Sequence, residues 1–96
     1  MRVRWTPEAE QDRIDIWDYI AIDNPAAAAQ MDQLFSESVA PLAQFPRLGP
    51  AGRIPGTREL TPHENYRLIY EIASDEDTVW VLALVHTSRR WPPVRE

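Results

Sequence analysis

The sequence contains no cysteine, no lysine and only three glycines in 96 residues. Without thiols, disulfides and thiolate chemistry are excluded, and the chain suits a reducing cytoplasm. No apolar run reaches the roughly 18 residues that a membrane-spanning helix needs, so no membrane association is expected. The opening residues also lack the apolar stretch of a secretion signal. Because lysine is absent, arginine carries all ten positive charges, and they are unevenly spread. Residues 1–40 hold three arginines against eight acids, whereas residues 41–96 hold seven of each. A chain of net charge −5 is poorly suited to non-specific nucleic-acid binding, which needs a basic face to neutralise phosphates. Phosphate-cradling glycine loops, dinucleotide turns and nucleophile elbows are missing as well. His63 and His86 are the only imidazoles. Neither has an acidic or thiol companion at ligand spacing, so no metal and no cofactor are expected.

What is present has the size and patterning of one domain spanning 1–96. Its most apolar part is the C-terminal third. Asn65 to Ile72 and Thr78 to His86 are rich in β-branched and aromatic residues, and the acidic turn Ser74-Asp75-Glu76-Asp77 separates them. That pattern predicts an antiparallel hairpin, with the second strand central in a sheet and covered on both faces. Near the N-terminus, Arg2/Arg4 alternate with Val3/Trp5 as a short strand. Thr6-Pro7-Glu8 then supplies a cap, a proline for the first helical position and an acid in the first turn. A helix over roughly 7–22 follows, with Ile16, Trp17 and Ile20 at helical spacing and an acidic exposed side. Asn24-Pro25 repeats the cap and starts a second helix that should end near Ala40, ahead of Pro41. A short link makes the two helices antiparallel neighbours.

All three glycines fall between Phe45 and Pro62. This stretch reads as an irregular connection with a brief strand at 57–60, and a long loop of this kind is commonly functional. The resulting order is β-α-α-β-β-β, an α+β fold in which a helical hairpin covers one face of a small, mainly antiparallel sheet.

The chemistry-bearing residues that remain are arginines and histidine around the hairpin. A turn centred on Asp75-Glu76 would place Arg67 opposite Leu84, with His86 its same-face diagonal neighbour, and Arg89 just past the strand end. Such a cluster could hold a phosphate and supply an acid or base. The plainer alternative is that the arginines pair with Glu59, Glu64 or Glu71 and that His86 caps the strand end. A one-residue slip in register would separate Arg67 from His86.

Several segments resemble the RelE/ParE toxins of type II toxin–antitoxin modules. They include Trp5-Thr6-Pro7-Glu8-Ala9 with Asp12, Ile16 and Tyr19; Asn24-Pro25-Ala26-Ala27-Ala28; and Phe45-Pro46 followed by Gly49. Gly52 to Leu60, Tyr66-Arg67-Leu68-Ile69-Tyr70, and His86 through Arg89 to Trp91-Pro92 continue the likeness in the same order. The resemblance implies a helical hairpin on an antiparallel sheet and a growth-inhibiting toxin neutralised by a cognate antitoxin. The antitoxin's C-terminal segment would dock against the first helix, with Ile16, Trp17 and Ile20 as contacts, in a hetero-oligomer.

Two activities occur in this superfamily: inhibition of DNA gyrase, and cleavage of mRNA on the ribosome. Under the second, Arg67, His86 and Arg89 would be catalytic; under either, Arg53, Arg58, Arg90 and Trp91 would contact the target. No tyrosine follows Arg89, lysine clusters are missing, and a tryptophan cannot exchange a proton. The resemblance therefore points to the ParE-like, gyrase-directed branch.

Overall fold

The computed structural model of the protein describes residues 1–93. Its elements follow from local signals. Strand β1, Arg2–Trp5, ends where Thr6 turns the chain: Thr6 Oγ1 accepts the Ala9 N–H at 3.1 Å and Pro7 opens helix α1, Pro7–Ala21. Asn24 repeats the device, accepting the Ala27 N–H at 3.1 Å ahead of Pro25, and α2 runs Pro25–Val39. Both caps satisfy donors that no helical carbonyl can reach. At Pro41 the α-helix cannot continue, and the chain tightens into a 3₁₀ turn, Ala40–Ala43.

Strands β2, Arg58–His63, β3, Tyr66–Ala73, and β4, Thr78–His86, complete a four-stranded sheet in the order β1-β4-β3-β2. β1 lies parallel to β4, and the other pairs are antiparallel. The helical hairpin covers one face. Ala9, Phe35, Val39 and Leu42 pack there against Tyr66, Leu68, Tyr70, Val79, Val81 and Leu84. Phe35 meets Tyr66 edge-on with ring centroids 5.5 Å apart. Arg13 ties the layers together. Its guanidinium bonds the Asp32 carboxylate and carbonyl and the Ser36 hydroxyl on α2, and lies 4.7 Å from the ring centroid of Trp5.

Three expectations need correction. β4 is central, but only one of its faces is deeply buried: Trp80, Ala83 and Val85, on the side away from the helices, are half-buried. The hairpin register also shifts. Near the turn Ala73 faces Thr78 and Tyr70 faces Val81, but Ile69 faces Ala83, leaving Leu82 unpaired as a bulge. Beyond it Arg67 faces Val85 and His86 faces Tyr66. Directly opposed residues share a face, so Arg67 and His86 lie on opposite faces of the sheet. The physical gain is that Leu84 turns into the core while the smaller Ala83 turns out. The turn itself closes with Asp77 at φ 50°, a left-handed conformation that aspartate tolerates.

β2 is longer than the brief strand expected, and its pairing is irregular between Leu60 and His63, where Pro62 offers no donor. The 44–57 loop is fixed from below by Tyr70, a fully buried side chain. Its hydroxyl donates to the Pro46 carbonyl at 2.7 Å and accepts the Gly49 N–H at 2.9 Å. Gly49 is needed for that approach, since a Cβ there would sit 2.6 Å from the Glu59 carbonyl and 2.9 Å from the Tyr70 ring. Replacing Tyr70 by Phe leaves the buried Gly49 N–H and the partly buried Pro46 carbonyl without their partner. The expected cost is about 1–3 kcal/mol, measured by chemical denaturation, with faster amide exchange at Gly49.

Candidate functional site

The register shift divides the expected cluster between two surfaces. On the face away from the helices, Arg67 does not stand free. Its Nε lies 3.2 Å from Glu59 Oε1, and the same oxygen is 3.1 Å from Arg53 Nη1. Glu59 Oε2 also accepts the Arg53 backbone N–H at 2.9 Å. One carboxylate therefore binds two guanidinium groups and anchors the loop, the ion-pairing arrangement that was the plainer expectation. Arg58 is committed elsewhere: Nη1 donates to the Gly49 carbonyl at 2.7 Å and to the Arg47 carbonyl at 3.4 Å. It is a fastening for the loop rather than an exposed cation.

The second surface is a groove of about 740 Å³ between α1 and the end of β4. β1 pairs with β4 only as far as Val81, where the Thr6 N–H bonds the Val81 carbonyl. Past that point the edge of β4 faces α1. Asp12 reaches across and accepts the Leu84 N–H at 3.0 Å. Asp12, Asp15, Ile16 and Tyr19 form one wall of the groove; Arg89, Arg90 and Trp91 stand on the other side, with Tyr66 and His86 within it. The two rings sit edge-on, centroids 5.3 Å apart. His86 Nδ1 accepts the Ser88 backbone N–H at 3.0 Å, which leaves Nε2 to carry the proton in the neutral ring. His86 thus caps the strand end as well as lining the groove.

Burial shifts two groups here. It raises the Tyr66 hydroxyl, helped by Tyr19 nearby. Asp12 is also raised, first by burial; the Leu84 N–H and Arg89 oppose this, while Asp15 and Glu8 add to it.

The three apolar residues expected as contacts on α1 separate. Ile16 lines the groove and Ile20 is half-buried, whereas Trp17 points to a different cleft of about 390 Å³ with Ile14, Arg13 and Asp32. Tyr66 and Asp12 were missed as site residues. The bulge that brings Tyr66 opposite His86 has no glycine to announce it, and Asp12 looked like one more acid on a solvated face. Among the described residues no cluster of three or more His, Cys, Asp or Glu could hold a metal ion, and no helix is long and apolar enough to cross a membrane.

Comparison with known proteins defines the class. A family model described as "ParE toxin of type II toxin-antitoxin system, parDE" matches residues 3–91. The chain belongs to this ParE toxin family, within the RelE/ParE superfamily. It is 37% identical over 94 residues to "Putative toxin Y4kP" of Sinorhizobium fredii, covering 97% of this chain and 95% of that protein. The fold matches the chromosomal ParDE system of P. aeruginosa with a TM-score of 0.77 at 24% identity, over 90% of this chain and 95% of that one. It also matches the RelBE2 toxin–antitoxin complex of Mycobacterium tuberculosis, with a TM-score of 0.59 at 25% identity over 92% of each chain.

Asp12 gives a pH prediction. Its folded pKa lies above the ordinary 3.8, so its contribution to stability is present below that value and is lost as pH rises through the folded pKa. Asp12→Asn keeps an acceptor for the Leu84 N–H without the charge. The Tm of the variant relative to wild type should therefore increase as pH is taken from below 3.8 to neutrality. A constant difference across that range would contradict the assignment.

Proposed function

We propose that this ParE-type toxin blocks growth by binding and inhibiting DNA gyrase without cleaving RNA, and that a cognate antitoxin neutralises it. The observation that carries the reading is the bulge at Leu82, which puts Arg67 and His86 on opposite faces of the sheet. A phosphodiester cannot be held by one and receive a proton from the other. Three further features agree. Glu59 neutralises Arg67, the chain is acidic overall, and Trp91 stands where a nuclease tail would need a proton carrier.

The antitoxin contact is assigned to the groove between α1 and β4. Beyond the end of β1 the edge of β4 is held only by side chains, Thr6 on the Leu82 carbonyl and Asp12 on the Leu84 N–H, and an extended segment would take their place with main-chain hydrogen bonds. Ile16 and Tyr19 offer apolar surface there, and Asp12 and Asp15 favour basic residues on the incoming chain. The similar structures from P. aeruginosa and M. tuberculosis come from toxin–antitoxin systems, which supports such a partner. Ile20 is half-buried and does not line the groove. Trp17 would meet only an antitoxin that continues over the helical hairpin. The cytoplasm, where gyrase and a newly made antitoxin are both met, is the proposed compartment.

Expression without the antitoxin should induce a DNA-damage reporter and filamentation while translation continues at first, and purified toxin should reduce supercoiling by purified gyrase. The Arg67→Ala/His86→Ala double variant should remain toxic. Immediate arrest of protein synthesis that the double variant abolishes would instead establish the ribosome-dependent nuclease.

A further inference from the structure

The polar and aromatic groups of the open sheet face include Arg2 and Arg4 on β1, Trp80 on β4, Arg67 and Glu71 on β3 and Glu59 on β2, with Arg53 reaching over from the loop. Without Glu59 this face would be markedly basic, since Arg53 and Arg67 would have no carboxylate between them. Two guanidinium groups converging on one point, joined by a backbone N–H, form the donor set that recognises a phosphate. Here the point of convergence is already filled. Glu59 Oε1 takes Arg53 Nη1 at 3.1 Å and Arg67 Nε at 3.2 Å, and Oε2 takes the Arg53 N–H at 2.9 Å.

Burial makes the arrangement firm. The Glu59 side chain is 13% exposed, less than Arg67 at 19% and Arg53 at 49%. The carboxylate therefore sits beneath the cations instead of competing for them from solvent. Gly52 keeps it there, because a Cβ at that position would lie 3.2 Å from Glu59 Oε2 and 2.5 Å from Thr57 Oγ1. The loop closes behind it through the Gly52 N–H to the Thr57 carbonyl and the Glu59 N–H to the Pro50 carbonyl.

We propose that Glu59 is a specificity-determining residue: its carboxylate occupies the place of a nucleic-acid phosphate between Arg53 and Arg67 and closes the open sheet face to RNA. The inference deepens the protein-directed reading above, but its test needs neither gyrase nor antitoxin. Failure of one is therefore distinguishable from failure of the other.

The probe is a short fluorescein-labelled oligouridylate, titrated with purified full-length protein at low and moderate salt. Glu59→Gln keeps the shape of the side chain while removing its charge. It should bind the RNA at least ~10-fold more tightly than wild type, with a steeper salt dependence as freed arginines displace counterions. Adding Arg67→Gln to that variant should return affinity to the wild-type level. Glu76→Gln, an equal charge change at the exposed turn, should give no comparable gain. Arg67→Gln alone should leave the weak binding of the wild type unchanged, and this arm is informative even if Glu59→Gln proves unstable in thermal unfolding. The proposal is overturned if Glu59→Gln, shown folded, binds no better than wild type. It is equally overturned if Glu76→Gln gains as much, if the double variant keeps its gain, or if Arg67→Gln alone weakens RNA binding.

Discussion

Leu82 has no partner across the sheet, and β4 holds nine residues against the eight of β3. From the turn to the bulge, Val79 and Val81 enter the core; past it, Leu84 does. A regular strand would have sent Ala83 inward and Leu84 outward, losing burial of a large aliphatic side chain, roughly 1.5–3 kcal/mol. That local preference sets the position of everything downstream. It turns His86 toward the helices beside Tyr66 and leaves Arg67 on the other side.

Electrostatics completes the division. Three of the five arginines that suggested a basic site are occupied within the fold: Arg58 with loop carbonyls, Arg53 and Arg67 with Glu59. Arginine suits such work because its planar fork can satisfy several acceptors at once. Arg89 and Arg90 are exposed beside the groove, opposite Asp12 and Asp15. The two signs of charge therefore face one another across the groove, and an incoming extended chain would be held in one direction along it.

The helices were legible because their signals are local. Thr6-Pro7 and Asn24-Pro25 mark starts through the chemistry of a single turn, and Pro41 marks a stop in the same way. The family resemblance was legible for a similar reason, since short segments in fixed order survive in the sequence. The division of the site was not legible. Whether Arg67 and His86 share a face depends on one unpaired residue between them, and Val79 to Val85 is apolar at every position. A run without alternation gives no period from which a bulge could be read. The pairing of Arg53 and Arg67 with Glu59 was foreseeable only as an alternative, because it depends on how the glycine-bearing loop folds back over β2.

The parallel pairing of β1 with β4 has a consequence in time. Arg2 lies beside Thr78, and between them the chain must form the helical hairpin, the loop and β3. Contacts this distant in sequence close late, because ordering the intervening chain costs entropy before the contact is made. On a ribosome the N-terminal strand therefore emerges first and waits, its slot unmade, until β4 has left the exit tunnel. Thr6, which ends β1, caps α1 and bonds the carbonyls of Val81 and Leu82, is then the place where the earliest and latest parts of the chain join. A toxin built this way stays incomplete through most of its own synthesis, and its groove exists only once the last strand is in place.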